Sequence, residues 1–106
     1  TITAQENDSM ELVLRMMQWK NIHHVPILND HLDLVGLLTW TDVGKYLDQP
    51  NKHGQSIGKI MQKKLITVNP GTPLEEAKDL MQNHKINCLP VVRDKKLVGI
   101  ITSNDL

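Results

Sequence analysis

Apolar and polar positions along this chain form one pattern that occurs twice. Each copy opens with a short β-branched stretch, Thr1-Ile2-Thr3 and then Leu65-Ile66-Thr67-Val68, which reads as extended. A helical period follows. Met10, Val13, Leu14 and Met17 in the first copy, and Leu74, Ala77 and Met81 in the second, fall on one face, which predicts helices with a single buried side. Thr72, Pro73 and Glu75 supply an N-cap, a first-turn proline and a third-position acid, the signature of a capping box. Asp8 and Glu11 stand at the equivalent places in the first copy. Each helix leads into a hairpin. His24 to Leu28 and Leu34 to Thr39 flank a polar turn, Asn29 to Asp33; Cys88 to Val92 and Leu97 to Thr102 flank a tighter one, Arg93 to Lys96. Proline cannot donate to a ladder, so Pro26 and Pro90 belong where their strands lie at an edge or are just beginning.

The echo is residue by residue. Met17, Ile22 and Pro26 return 64 positions later as Met81, Ile86 and Pro90; Leu34 to Thr39 returns 63 positions later as Leu97 to Thr102. A further helix is expected from Thr39 to about Asp48, a polar linker from Gln49 to Gln55, and a short helix over Ser56 to Gln62. The fold class is therefore α+β, two pseudo-symmetric β-α-β-β-α repeats. Residues 1–48 form the first repeat, and residues 49–106 form a linker helix and the second. Repeats of this size are near the lower limit for an independent core and should pack on each other, leaving a groove with two similar ligand sites. The non-methionine start and the end at Leu106 suggest a module of a longer protein.

Composition narrows the function. Twelve basic residues balance twelve acidic ones, so no long-range field favours nucleic acid or an anionic membrane. No apolar run approaches the roughly 18 residues of a membrane span. The single cysteine, Cys88, excludes an internal disulfide and suits a reducing, cytoplasmic setting. His23-His24 is a weak metal candidate, because adjacent strand residues point to opposite faces. Nothing forms a nucleophile-base set, and Cys88 reads as a small buried hydrophobe, so an enzyme is not expected.

Gly36 to Asp42 and Gly99 to Asp105 both fit Gly-apolar-apolar-Thr-x-x-Asp at the passage from strand to helix. A helix N-terminus favours a phosphate, a threonine hydroxyl can add a donor to it, and an aspartate one turn on can accept from both ribose hydroxyls. Thr-x-x-Asp is also a helix cap that needs no ligand, and the two roles are compatible.

The duplicated pattern resembles a tandem pair of CBS motifs, the Bateman module, over essentially the whole chain. The resemblance implies a regulatory domain that binds an adenosine compound (AMP, ADP, ATP or S-adenosylmethionine) as a ligand, with no cofactor required. It also implies pairing into a homodimer and attachment to an effector domain. It would bring Thr39 and Asp42 to face Ile66, Cys88 and Leu89, with Gly58 nearby, in a first cleft. Thr102 and Asp105 would face Ile2, His24 and Val25 in a second. The aspartates would hold ribose, the threonines phosphate, and the apolar residues would clamp the purine. Trp40, beside the first pair, fits a dimer contact or a ligand contact. The rival reading is a dimerisation or protein-interaction domain with empty clefts.

Overall fold

The structure, a computed structural model, describes residues 2–48 and 56–105, the side chain of Asn104 excepted. The expected linker, Gln49 to Gln55, lies outside the described residues. The chain divides into two compact units, residues 2–65 and 66–106.

In the first unit β1 (Ala4–Gln5), α1 (Met10–Lys20), β2 (His24–Leu28), β3 (Leu34–Thr39), α2 (Trp40–Leu47) and α3 (Ile57–Ile60) follow one another, and the sheet order is β1-β2-β3. The opening strand is thus not at Ile2 and Thr3, and Thr1 lies outside the described residues. The parallel register of β1, Ala4 with Ile27 and Gln5 with Leu28, starts only beyond Pro26, and this pairing outweighs the β-branched propensity of Ile2 and Thr3. Pro26 sits in the central strand, yet costs no bond. Its partner Leu37 turns both backbone groups away, to Gln62 at 3.0 and 2.9 Å, so Pro26 and Leu37 form a non-hydrogen-bonded pair. Met10, Val13, Met17, Val25, Ile27, Leu38, Val43 and Tyr46 make the core, and Ile57 and Met61 from α3 and its end complete it.

α1 is capped by Ser9, whose hydroxyl accepts the Leu12 N–H at 3.2 Å. Asp8, the expected cap, instead accepts from Gln5 N–H at 2.9 Å. The helix ends on Asn21 at φ 52, with Ile22 N–H donating to Met17 O at 3.0 Å and Asn21 N–H to Gln18 O at 3.4 Å, a Schellman closure.

The second unit holds α4 (Leu74–His84), β4 (Cys88–Arg93) and β5 (Lys96–Thr102), with a single 3-10 turn over Ser103–Asp105 where the second copy of α2 was expected. Leu65 to Val68 contributes one parallel bridge, Val68 to Val91, and Pro90 presents its carbonyl to Val68 N–H at 3.0 Å on the side away from β5. The α4 closure repeats that of α1: Lys85 at φ 54, with Ile86 N–H to Met81 O at 3.0 Å. The recurrence of Met17/Ile22 as Met81/Ile86 is therefore the recurrence of a helix stop.

Two expectations fail at the start of α4. The N-cap is Pro73, with no side-chain cap bond, because Thr72 is drawn into the preceding Asn69-Pro70-Gly71 turn: its hydroxyl accepts from Asn69 N–H at 3.2 Å and meets Asn69 Oδ1 at 3.3 Å. Leu74 is 58% exposed, since the core of Val68, Ala77, Met81 and Leu89 reaches the helix only from its second turn. The β4–β5 turn is two residues, Asp94 and Lys95, both at positive φ (51 and 70), which is tighter than the four-residue turn expected.

Candidate functional site

Both Gly-apolar-apolar-Thr-x-x-Asp segments run from the second strand of a hairpin into a helical turn, as their spacing requires. In the first, Thr39 caps α2 and forms a reciprocal box with Asp42. Thr39 Oγ1 accepts the Asp42 N–H at 3.3 Å and donates to Asp42 Oδ2 at 2.9 Å; Thr39 N–H reaches the same oxygen at 3.3 Å. A third donor, Gln62 Nε2, meets Oδ2 at 3.3 Å. Asp42 is buried at 8% exposure, and among the described residues no hydrogen bond reaches Oδ1. The cap thus uses one carboxylate oxygen and leaves the other available as an acceptor.

The second segment repeats half of this. Asp105 Oδ2 accepts from Thr102 N–H at 2.8 Å and from Thr102 Oγ1 at 3.2 Å. Asp105 is exposed, and no third donor meets it among the described residues. In both segments the threonine proton points at the aspartate. A phosphate would have to draw it away, and at α2 the Trp40 N–H is already given to His23 O at 2.9 Å.

The two glycines differ as well. A Cβ on Gly36 would run into the Met61 side chain, whereas one on Gly99 would meet nothing within 4 Å. The first glycine is therefore accounted for by close packing of Met61 on β3. Trp40 is 42% exposed, with its ring 6.1 Å from that of His23.

The remaining candidates fall unit by unit. In the first, Ile2 is half-buried ahead of β1, and Gly58 donates its N–H to Glu6 O at 3.3 Å. Val25 is fully buried in its own core. His24 pairs with Thr39 across the hairpin, two residues from Pro26, so its backbone groups face the edge that β1 occupies only from Ile27 onward. Burial, and then the neighbouring His23 charge, push the His24 pKa down. In the second unit Cys88 pairs with Thr102 and Leu89 with Ile101, Leu89 is fully buried, and Ile66 packs against the same core. Burial pushes the Cys88 thiol up to about 12, so it stays protonated and unreactive at neutral pH. The motif reading missed Gln62, which lies outside both Thr-x-x-Asp motifs and reaches Asp42 from 20 residues away.

Among the described residues no group of three or more His, Cys, Asp or Glu could hold a metal, and no helix is long and apolar enough to cross a membrane.

Two hairpin units, each carrying a Thr-x-x-Asp turn, make the chain a tandem repeat. The CBS domain family model matches residues 1–49 and again 57–106, and the chain belongs to that family. It is 36% identical over 106 residues to L-aspartate semialdehyde sulfurtransferase of Methanocaldococcus jannaschii, covering 99% of this chain but 20% of that protein. The CBS domain pair of protein MJ0100, solved in complex with 5′-methylthioadenosine and S-adenosyl-L-methionine, aligns with TM-score 0.89 and 35% identity over 98% of this chain and 82% of that one. CBSX2, solved in complex with AMP, aligns with TM-score 0.89 and 27% identity over 97% of this chain and 81% of that one. The fold is that of a CBS domain pair, a regulatory module rather than a catalytic domain.

Proposed function

We propose that this chain senses an adenosine compound, of the class AMP, ADP, ATP or S-adenosylmethionine, and relays its occupancy to an effector domain joined to it in a longer protein. The observation that carries the reading is the doubled Thr/Asp turn, in which Oδ2 is held internally and Oδ1 remains able to accept from ribose hydroxyls. Support comes from the similar CBS pairs that were solved with S-adenosylmethionine, 5′-methylthioadenosine or AMP. In this reading Asp42 and Asp105 take ribose, and Thr39 and Thr102 turn their hydroxyls to phosphate when it is present. The backbone of His24 and Cys88 reads the purine edge. Ile2, Ile66 and Gly58 give it apolar contact, while Val25 and Leu89 brace the strands from within. The buried, protonated thiol fits a reducing, cytoplasmic setting.

A second reading has its own observation. On α1, Leu12 and Trp19 are 52% and 80% exposed and seven residues apart, so they share a face opposite the buried one. An interaction domain, or a homodimer of the sensor, would cover them. A thermal-shift panel of AMP, ADP, ATP, S-adenosylmethionine and NAD separates the readings: stabilisation by an adenosine compound supports the sensor, and silence across the panel leaves the interaction domain.

A further inference from the structure

Resting on the sensor reading, we infer that Gln62 is a positioning and specificity residue of the first Thr/Asp site, fixing the Asp42 carboxylate in the orientation that accepts a ribose diol. The chain of contacts begins at Gly36. Because it lacks a Cβ, Met61 lies directly against β3, and the next residue, Gln62, pairs with Leu37 through two backbone bonds of 2.9 and 3.0 Å. That anchorage, two residues before Thr39, brings the Gln62 amide to the start of α2, where Nε2 stands 3.3 Å from Asp42 Oδ2. Only the NH2 end of an amide can face an ionised carboxylate, so the contact also orients the amide.

The third donor matters because a carboxylate turns easily about its last torsion, which is broad and two-fold. Thr39 holds the aspartate from its own helix turn; Gln62 holds it from another element, and together they define which oxygen is engaged. With Oδ2 occupied, Oδ1 keeps its lone pairs for two hydroxyls. Asp105 has the threonine contacts without a counterpart of Gln62 among the described residues, so the same motif gives one acid held by two elements and one held by a single turn.

The test uses Gln62→Met, which keeps length and shape but removes the donor, and Gln62→Glu, which sets a second acid against Asp42. Affinities for AMP and 2′,3′-dideoxy-AMP, and for adenosine and 2′,3′-dideoxyadenosine, are measured by calorimetry on the intact chain, with melting curves confirming that each variant folds. Gln62→Met should weaken AMP or adenosine about fivefold and change the dideoxy compounds by less than about twofold; Gln62→Glu should weaken the ribosides further. Unchanged riboside affinity in Gln62→Met, or equal loss for riboside and dideoxy compound, overturns the role of Gln62 and leaves the sensor reading standing. A wild-type chain that binds none of the four probes overturns the role of Gln62 in holding a riboside, and the sensor reading falls with it only when ADP, ATP and S-adenosylmethionine are silent as well.

Discussion

Thr39 and Asp42 satisfy each other: the hydroxyl donates to Oδ2 at 2.9 Å while accepting the Asp42 N–H at 3.3 Å. The capping interpretation of Thr-x-x-Asp is therefore true in this fold, and any ligand role must be built on the oxygen that capping leaves over. The consequence is that Asp42→Ala has two separable effects. Stability should fall by about 1 kcal/mol as the cap is lost. Affinity for the adenosine ligand should fall by about 1.5–3 kcal/mol, the scale of a hydrogen bond to a charged group. Denaturant melts and calorimetry on the same variant read the two numbers; unchanged affinity with reduced stability would mean that the residue is a cap and nothing more.

The glycines of the two motifs should respond unequally to alanine. Gly36→Ala drives a methyl into Met61 and should cost about 1–3 kcal/mol, whereas Gly99→Ala enters open space and should change stability by less than about 1 kcal/mol. Trimming the obstacle in Gly36→Ala/Met61→Ala should make the two changes non-additive in a double-mutant cycle, because they act on one contact. Strict additivity would refute the packing explanation.

Tyr46 is buried in the first core at 8% exposure, and its hydroxyl has no hydrogen-bond partner among the described residues. Tyr46→Phe removes an unsatisfied group while keeping the ring, so it should be neutral or stabilising by up to about 1 kcal/mol. A clear drop in melting temperature would show that the hydroxyl is satisfied in solution.

Much of this was legible in the residues. The hairpins were, because each carries an apolar-Pro strand, a polar turn and a Gly-containing strand in the same order. The helix stops show in the sequence only as a recurring Met and Ile, because the left-handed residue that closes each helix differs, Asn21 in one copy and Lys85 in the other, and neither is the usual glycine. What the sequence hid was competition. Thr72 looks like a cap, yet the Asn69 turn reaches its hydroxyl first. Ile2 and Thr3 have strand propensity, yet the pairing with Ile27 begins at Ala4. In the site, the Thr/Asp pairs stood out because they are local and doubled. Gln62 is neither local nor doubled, and only the closure of Met61 over Gly36 brings it to Asp42.

Cys88 gives the pH dependence a direction. Its thiol is raised from 9.0 to about 12, so the folded chain holds this proton more tightly than the unfolded one. The stability that follows is fully present below pH 9 and is lost as pH rises toward 12, with a slope of at most about 1.4 kcal/mol per pH unit. Cys88→Ala should flatten that alkaline fall relative to wild type in melts run from neutral to high pH. Identical profiles would show that the thiol ionises as easily in the folded chain.

The central claim, that the chain binds an adenosine compound through its Thr/Asp turns, is tested most directly by calorimetric titration of the intact chain with AMP and S-adenosylmethionine, wild type beside Asp42→Ala and Asp105→Ala. Binding should be dominated by one site per chain and should depend chiefly on Asp42, which is buried and held by three donors, rather than on exposed Asp105. At a ligand concentration of about 100 Kd the occupied site should add roughly 2.7 kcal/mol of stability. Heats that persist unchanged in both aspartate variants, or no heat with either compound at millimolar concentration, would contradict it.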